Sequence, residues 1–333
     1  MGTGVKGNVA LLETRVVERI SATSRNRRVR KEPSCFTLRA FALSLGVHPQ
    51  GSIMNMPLLW YWRYIPCAGV KLEFDEFDLY EKDERTIVHL TRRDPKQKRK
   101  IFQKHIQEDD DRSFKHIEGI DFEIALASIS GDGIFLLDYA HVFTFLLMIQ
   151  TGGWISAPVI LTHSTLDDPE VDEPHIFCSG FIDAKPTYLG EFRLTLEDAH
   201  WIKLHMETAL RFIHEPKFQN AMQALTSFHC IPYPTMRLLV AWSGLEALFG
   251  VDKEISFRLS LYISNFLKSD VDRYSEFKKL RRSYDDRSRV AHGDATKAKA
   301  VDDNAIYTRE ILRACLAKCI EINLFPNTKQ LIF

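Results

Sequence analysis

The chain has 333 residues, of which 45% are hydrophobic and 26% charged; acids and bases balance to a formal net charge of zero. That length suits two domains, and the apolar fraction is ordinary for a globular protein that buries a sizeable core. Zero net charge excludes a global electrostatic case for nucleic acid, so any polyanion site has to be local.

The six cysteines (Cys35, Cys67, Cys178, Cys230, Cys315 and Cys319) form neither a CxxC pair nor a disulfide-rich spacing. They point to a reducing, cytoplasmic setting. Cys315 and Cys319 lie four apart on an expected helix and share a face. With no nearby histidine or further cysteine they read as packing, and neither a metal nor a cofactor is expected.

In chain order, residues 1–33 carry Arg25, Arg27, Arg28, Arg30 and Lys31 with few acids before Pro33, and read as a basic tail. Val9 to Leu12 is too short and too soon charged to be a signal-peptide core. Residues 34–190 read as an α+β domain of unassigned role, with sensing as one option. Strands are expected around Trp60–Tyr64, Lys71–Leu79 and Thr86–Leu90. Arg92–Lys100 and Glu108–Asp111 form a charged, solvated excursion lacking the interleaved aromatics of a stacking platform. Gly131-Asp132-Gly133 precedes an apolar helix over about 135–150, closed by Gly152-Gly153. That run holds Asp138 and His141 and is too short to span a bilayer, so a buried helix is expected and no membrane partner. Further strands are expected at Ala157–Thr162 and His175–Phe181. No glycine cluster has a phosphate-cradling spacing.

Residues 191–333 read as an all-α bundle. Thr195 caps a first helix running through Ile202, Met206, Leu210 and Ile213. Pro216 and Pro234 open the next two, the second ending at Gly250. Ser256–Leu267, Tyr274–His292 and Asn304–Leu324 complete the set, with Gly293 stopping the fifth. His200 and His205 lack the HExxH pattern of a zinc site.

The chemistry-bearing stretch is Tyr284-Asp285-Asp286-Arg287-Ser288-Arg289-Val290-Ala291-His292-Gly293. Arginine is a permanent forked cation suited to phosphate, and histidine exchanges a proton near neutral pH. Five residues along a helix rotate a side chain by about 140°. Arg287 and His292 therefore share a face only if the helix ends near Ala291, which Gly293 permits as a C′ residue. Lys278, Lys279, Arg281, Arg282 and Arg289 make the helix basic. Glu246 sits in an apolar helix, where a carboxylate usually needs a partner. It either orients Arg287 or faces solvent. Tyr284, one turn before Arg287, either packs or meets a phosphate. Two structural roles stand beside the chemical one: Arg287 pairing with Asp285, Asp286 or Glu246, and His292 capping its helix.

Arg237-Leu-Leu-Val-Ala241-Trp-Ser-Gly-Leu245-Glu246-Ala247-Leu248-Phe249, then Ile255-Ser-Phe-Arg258-Leu259, then Tyr284-x-x-Arg287-Ser288 through His292 occur in that order. In order and spacing this set resembles the Apea-like branch of the HEPN superfamily, over about 195–325. The resemblance implies a helical bundle that pairs with a second copy and brings two Arg/His sets into one cleft. It implies a metal-independent ribonuclease acting on RNA, transfer RNA included, in antiphage defence. Arg287 and His292 would be catalytic, with Glu246, Tyr284, Ser288 and Arg289 supporting them or contacting RNA. Other members of the superfamily are inactive or serve as binding modules. A non-catalytic module for RNA, nucleotide or protein is thus the alternative, and a purely structural partner-binding protein a third.

Overall fold

A computed structural model describes residues 61–82, 85–92, 120–128, 133–155, 159–161, 176–178, 192–251, 255–267, 270–293 and 298–331. The basic tail and the charged excursion after Arg92 lie outside the described residues. From Leu59 onwards the chain forms one compact unit in which a sheet-bearing part is followed by a helical one.

The larger sheet has six strands in the order β3-β4-β5-β1-β6-β7, and each neighbouring pair is antiparallel. The strands are β1 (Tyr61–Ala68), β3 (Glu76–Lys82), β4 (Arg85–Arg92), β5 (Ile120–Ser128), β6 (Val159–Leu161) and β7 (Ile176–Cys178). The strand expected over Lys71–Leu79 is two. Glu73–Asp75 bends the chain, and β2 (Val70–Leu72) leaves to pair in parallel with β8 (Phe192–Leu194). The bend is held at both sides: Glu73 N–H donates to Leu194 O at 3.0 Å and Arg92 N–H to Asp75 O at 2.7 Å. β5 was not anticipated, although Ile120-Asp-Phe-Glu-Ile-Ala-Leu alternates. It lies in the middle of the sheet, with Ile124 opposite both Ile65 and Leu90, and Phe122 to Ala127 are buried.

The first described helix, α1 (Gly133–Thr151), is predominantly apolar and is buried from Val142 to Ile149. It packs on β5 and β8 and on helices of the bundle. No described helix is long and apolar enough to cross a membrane.

Six helices follow: α2 (Leu196–Phe212), α3 (Pro216–Phe228), α4 (Pro234–Phe249), α5 (Ile255–Leu267), α6 (Asp270–Ala291) and α7 (Ala298–Ile322). Their starts obey local chemistry. Thr195 and Asp198 form a reciprocal capping box on α2, while prolines open α3 and α4. Two helices begin earlier than the sequence indicated, α6 at Asp270 and α7 at Ala298, and α7 already places Val301 in the core in its first turn. α4 is the hub. It packs on α3, α6 and α7, with Trp242 fully buried at its centre. Gly244 allows that approach: a Cβ there would stand 2.7 Å from Ala224 Cβ and 2.8 Å from Leu312 Cδ2.

Candidate functional site

α6 owes its placement to its inward face. Glu276, Leu280, Ser283 and Tyr284 recur at helical spacing and are buried, whereas Lys278, Lys279, Arg281, Arg282 and Asp285 are exposed. A buried relay fixes the helix against two others. Trp242 Nε1 donates to Ser283 Oγ at 3.2 Å, the hydroxyls of Ser283 and Thr308 lie 2.9 Å apart, and Thr308 donates to Asn304 O at 2.8 Å. One direction of donation satisfies every member, as a buried polar chain requires.

One turn later the relay gives way to charge. Arg287 Nη2 lies 3.2 Å from Glu246 Oε1 and 3.4 Å from Oε2, while the Tyr284 hydroxyl donates to Oε1 at 3.1 Å. Both ends of the ion pair are about three-quarters buried, so water screens it less than a surface pair. Tyr284 presents its edge to Trp242 with centroids 5.0 Å apart, and its ring lies 5.3 Å from Arg287 Cζ. Burial, reinforced by the Glu246 charge, pushes the Tyr284 phenol up to about 12, so at neutral pH it remains a donor. Arg287 Nε is buried without a hydrogen-bond partner among the described residues.

Glu246 therefore orients Arg287 and does not face solvent, and Tyr284 packs while steadying the same carboxylate. The neighbouring acids serve other partners. Asp286 accepts from Asn304 Nδ2 at 2.6 Å and pairs with Arg289 at 2.8 Å. Asp285 accepts from Ser256 Oγ at 3.5 Å. Arg289 is thus turned away from Arg287, and Ser288 is half-buried between the two.

α6 ends where its sequence indicated. Ala291 is the last helical residue, and Gly293 takes φ +82°. His292 N–H still reaches Ser288 O at 3.1 Å, while Gly293 N–H turns back to Val290 O at 3.1 Å. The His292 side chain stands exposed at the helix C-terminus, and its ring makes no hydrogen bond among the described residues. α6 thus carries a largely buried guanidinium anchored by Glu246 and, five residues on, an exposed imidazole at its end.

A second polar cluster gave no motif. Arg237 on α4 donates to Ile231 O at 2.8 Å, to Pro232 O at 3.3 Å and to Asp302 at 3.1 Å. Arg309 on α7 donates to His229 Nε2 at 3.2 Å and to Glu310, and both guanidinium groups lie beside the Phe228 ring. Burial, then the Arg309 charge, lowers His229 to about 4, so it is neutral with Nε2 as acceptor. Arg313 extends the cluster to α1, donating to Ile149 O and, at 3.5 Å, Gln150 O at the helix end. Arginine inside an otherwise apolar helix was the available signal, at Arg237 between Met236 and Leu238.

His205 stacks on Trp201 at 4.3 Å, and His200 meets the edge of Phe77 at 5.0 Å. Cys315 and Cys319 are buried, and burial raises both thiols above their ordinary range. Among the described residues, no group of three or more His, Cys, Asp or Glu is placed to hold a metal ion. No family model, curated protein or solved structure matches the chain.

Proposed function

We propose that residues 191–333 form a HEPN-type endoribonuclease that needs no metal, cuts RNA through its own 2′-hydroxyl and works as a homodimer in the cytoplasm. The observation that carries this reading is the pairing on α6 of Arg287, held by Glu246 and Tyr284, with His292 exposed at the helix end. RNA brings the nucleophile beside every phosphodiester. An imidazole removes the 2′-OH proton as O2′ bonds to phosphorus, and the P–O5′ bond breaks with a proton delivered to O5′. The products are a 2′,3′-cyclic phosphate and a 5′-hydroxyl. Two copies supply two imidazoles, one for each proton. The guanidinium meets the charge of the crowded phosphorane with donors already fixed in place. The preceding α+β part would restrain the site until a trigger arrives, as an antiphage role requires.

One observation favours the alternative, a module that binds RNA without turnover: Glu246 offsets much of the Arg287 charge. Single-turnover cleavage of transfer RNA in EDTA by wild type, Arg287→Ala and His292→Ala decides between them. Losing the imidazole should cost about 10² to 10⁴-fold and losing the guanidinium about 10² to 10³-fold, with fold and dimer retained. Equal cutting by both variants would overturn the proposal.

A further inference from the structure

The outward face of α6 carries a stripe that the Arg287 cluster does not use. Tyr274, Lys278, Arg281, Asp285, Ser288 and His292 follow one another at spacings of four and three, so they lie in one row along the helix. The row leads to the imidazole. Arg281 lies about one turn short of Asp285 and roughly 16 Å of helix rise from His292.

Two large rings are left in water along it. Tyr274 is 66% exposed and Phe257, reaching in from α5, is 48% exposed. Each carries a cation: Lys278 Nζ is 4.2 Å from the Tyr274 centroid, and Arg281 Cζ is 6.0 Å from that of Phe257. Phe257 is held upright by the edge of Phe277, with centroids 5.5 Å apart. Two exposed rings, each with a cation over its face, thus lie along one helix row beside the exposed Lys279 and Arg282.

We propose that this row is a track for single-stranded RNA, with Tyr274 and Phe257 stacking bases and Lys278 and Arg281 meeting the backbone. Alternating cations and rings suit a strand that offers phosphates and unpaired π faces together. A duplex keeps its bases stacked inside and offers no such faces. A second copy of the chain is a poorer occupant, since a two-fold contact centred here would set the cationic row against itself. The row also holds one acid, Asp285, which accepts from Ser256 Oγ at 3.5 Å. The inference rests on the ribonuclease reading for its substrate but not for its test, which requires no cleavage.

The test uses the full chain and a 20-nucleotide oligodeoxyuridylate, which lacks the 2′-hydroxyl and cannot be cut by the proposed route. Fluorescence anisotropy should show binding that exceeds that of a duplex of equal length. Tyr274→Ala and Phe257→Ala should each weaken it by about fivefold or more. Lys278→Gln and Arg281→Gln should each lower the salt slope by about 0.7. Circular dichroism should be unchanged in these variants, and melting should fall slightly only in Phe257→Ala, which loses the contact with Phe277. Affinity unaltered by the ring variants would overturn the track. So would ring variants that dissociate a dimer in sedimentation while leaving binding intact, since the patch would then be a protein contact. Oligonucleotide binding that depends on the rings, in a wild-type protein that cuts no RNA, would count against the ribonuclease reading alone.

Discussion

Glu246 is the residue on which the geometry of Arg287 turns, because it reaches from α4 to hold a guanidinium on α6 that has no other ion-pair partner among the described residues. It acts through Arg287 and is a positioning residue. Glutamine keeps an oxygen for both Arg287 and Tyr284, so Glu246→Gln should retain much of the RNA cleavage rate, while Glu246→Ala loses it to nearly the extent of Arg287→Ala. A rate series over the three variants, at unchanged oligonucleotide affinity, checks this. Equal rates in wild type and Glu246→Ala would remove the positioning role. Gly293 acts through backbone alone. Its φ of +82° disfavours a side chain, yet a Cβ there would meet nothing within 4 Å. Gly293→Ala should therefore cost about 1–2 kcal/mol or shift the chain path beside His292, and Gly293→Asn should cost less. Urea titration with parallel cleavage assays separates stability from redirection of the imidazole.

At the scale of elements, the bundle depends on close approach at one glycine and on one neutral histidine. Gly244→Ala gains helix propensity but drives a methyl into Ala224 and Leu312, for a net loss of about 1–2 kcal/mol by urea titration. His229 is lowered from 6.5 to about 4, so the unfolded chain binds its proton first. Its contribution is present above about pH 6.5 and is lost as pH falls towards 4, on the order of 3 kcal/mol in all. Glutamine offers Arg309 an acceptor that does not titrate in this window. Urea midpoints of His229→Gln should thus fall less than those of wild type between pH 7 and pH 4.5; parallel curves would contradict the assignment.

Helices were legible in the sequence because their signals are local: Thr195 with Asp198, Pro216, Pro234, Gly250 and Gly293 mark ends through a few bonds each. Strand pairing was not. β5 is buried on both faces between partners 30 or more residues away in sequence, and β2 breaks from β3 to join β8, 120 residues on. The candidate site divides the same way. The turn at Gly293 and the inward placing of Tyr284 follow from helical geometry. The choice of Glu246 over Asp285 or Asp286 as partner of Arg287 depended on how α4 crosses α6. The cluster around Arg237, His229 and Arg309 depended on three helices meeting and left little mark on any one of them.

For the whole molecule, the proposed reaction moves two protons while each chain brings one imidazole to the site, so the proposal calls for a second copy. Sedimentation should show a dimer at assay concentrations, and cleavage per chain should fall on dilution below its dissociation constant. A fully active monomer would require another proton donor. The central claim is tested most directly by the RNA ends. Purified protein is incubated with total and transfer RNA in EDTA, beside His292→Ala, and the fragment termini are identified. Fragments ending in 2′,3′-cyclic phosphate with the wild type alone are the expected result. Equal fragments with His292→Ala would contradict it, since the cutting would then owe nothing to the imidazole.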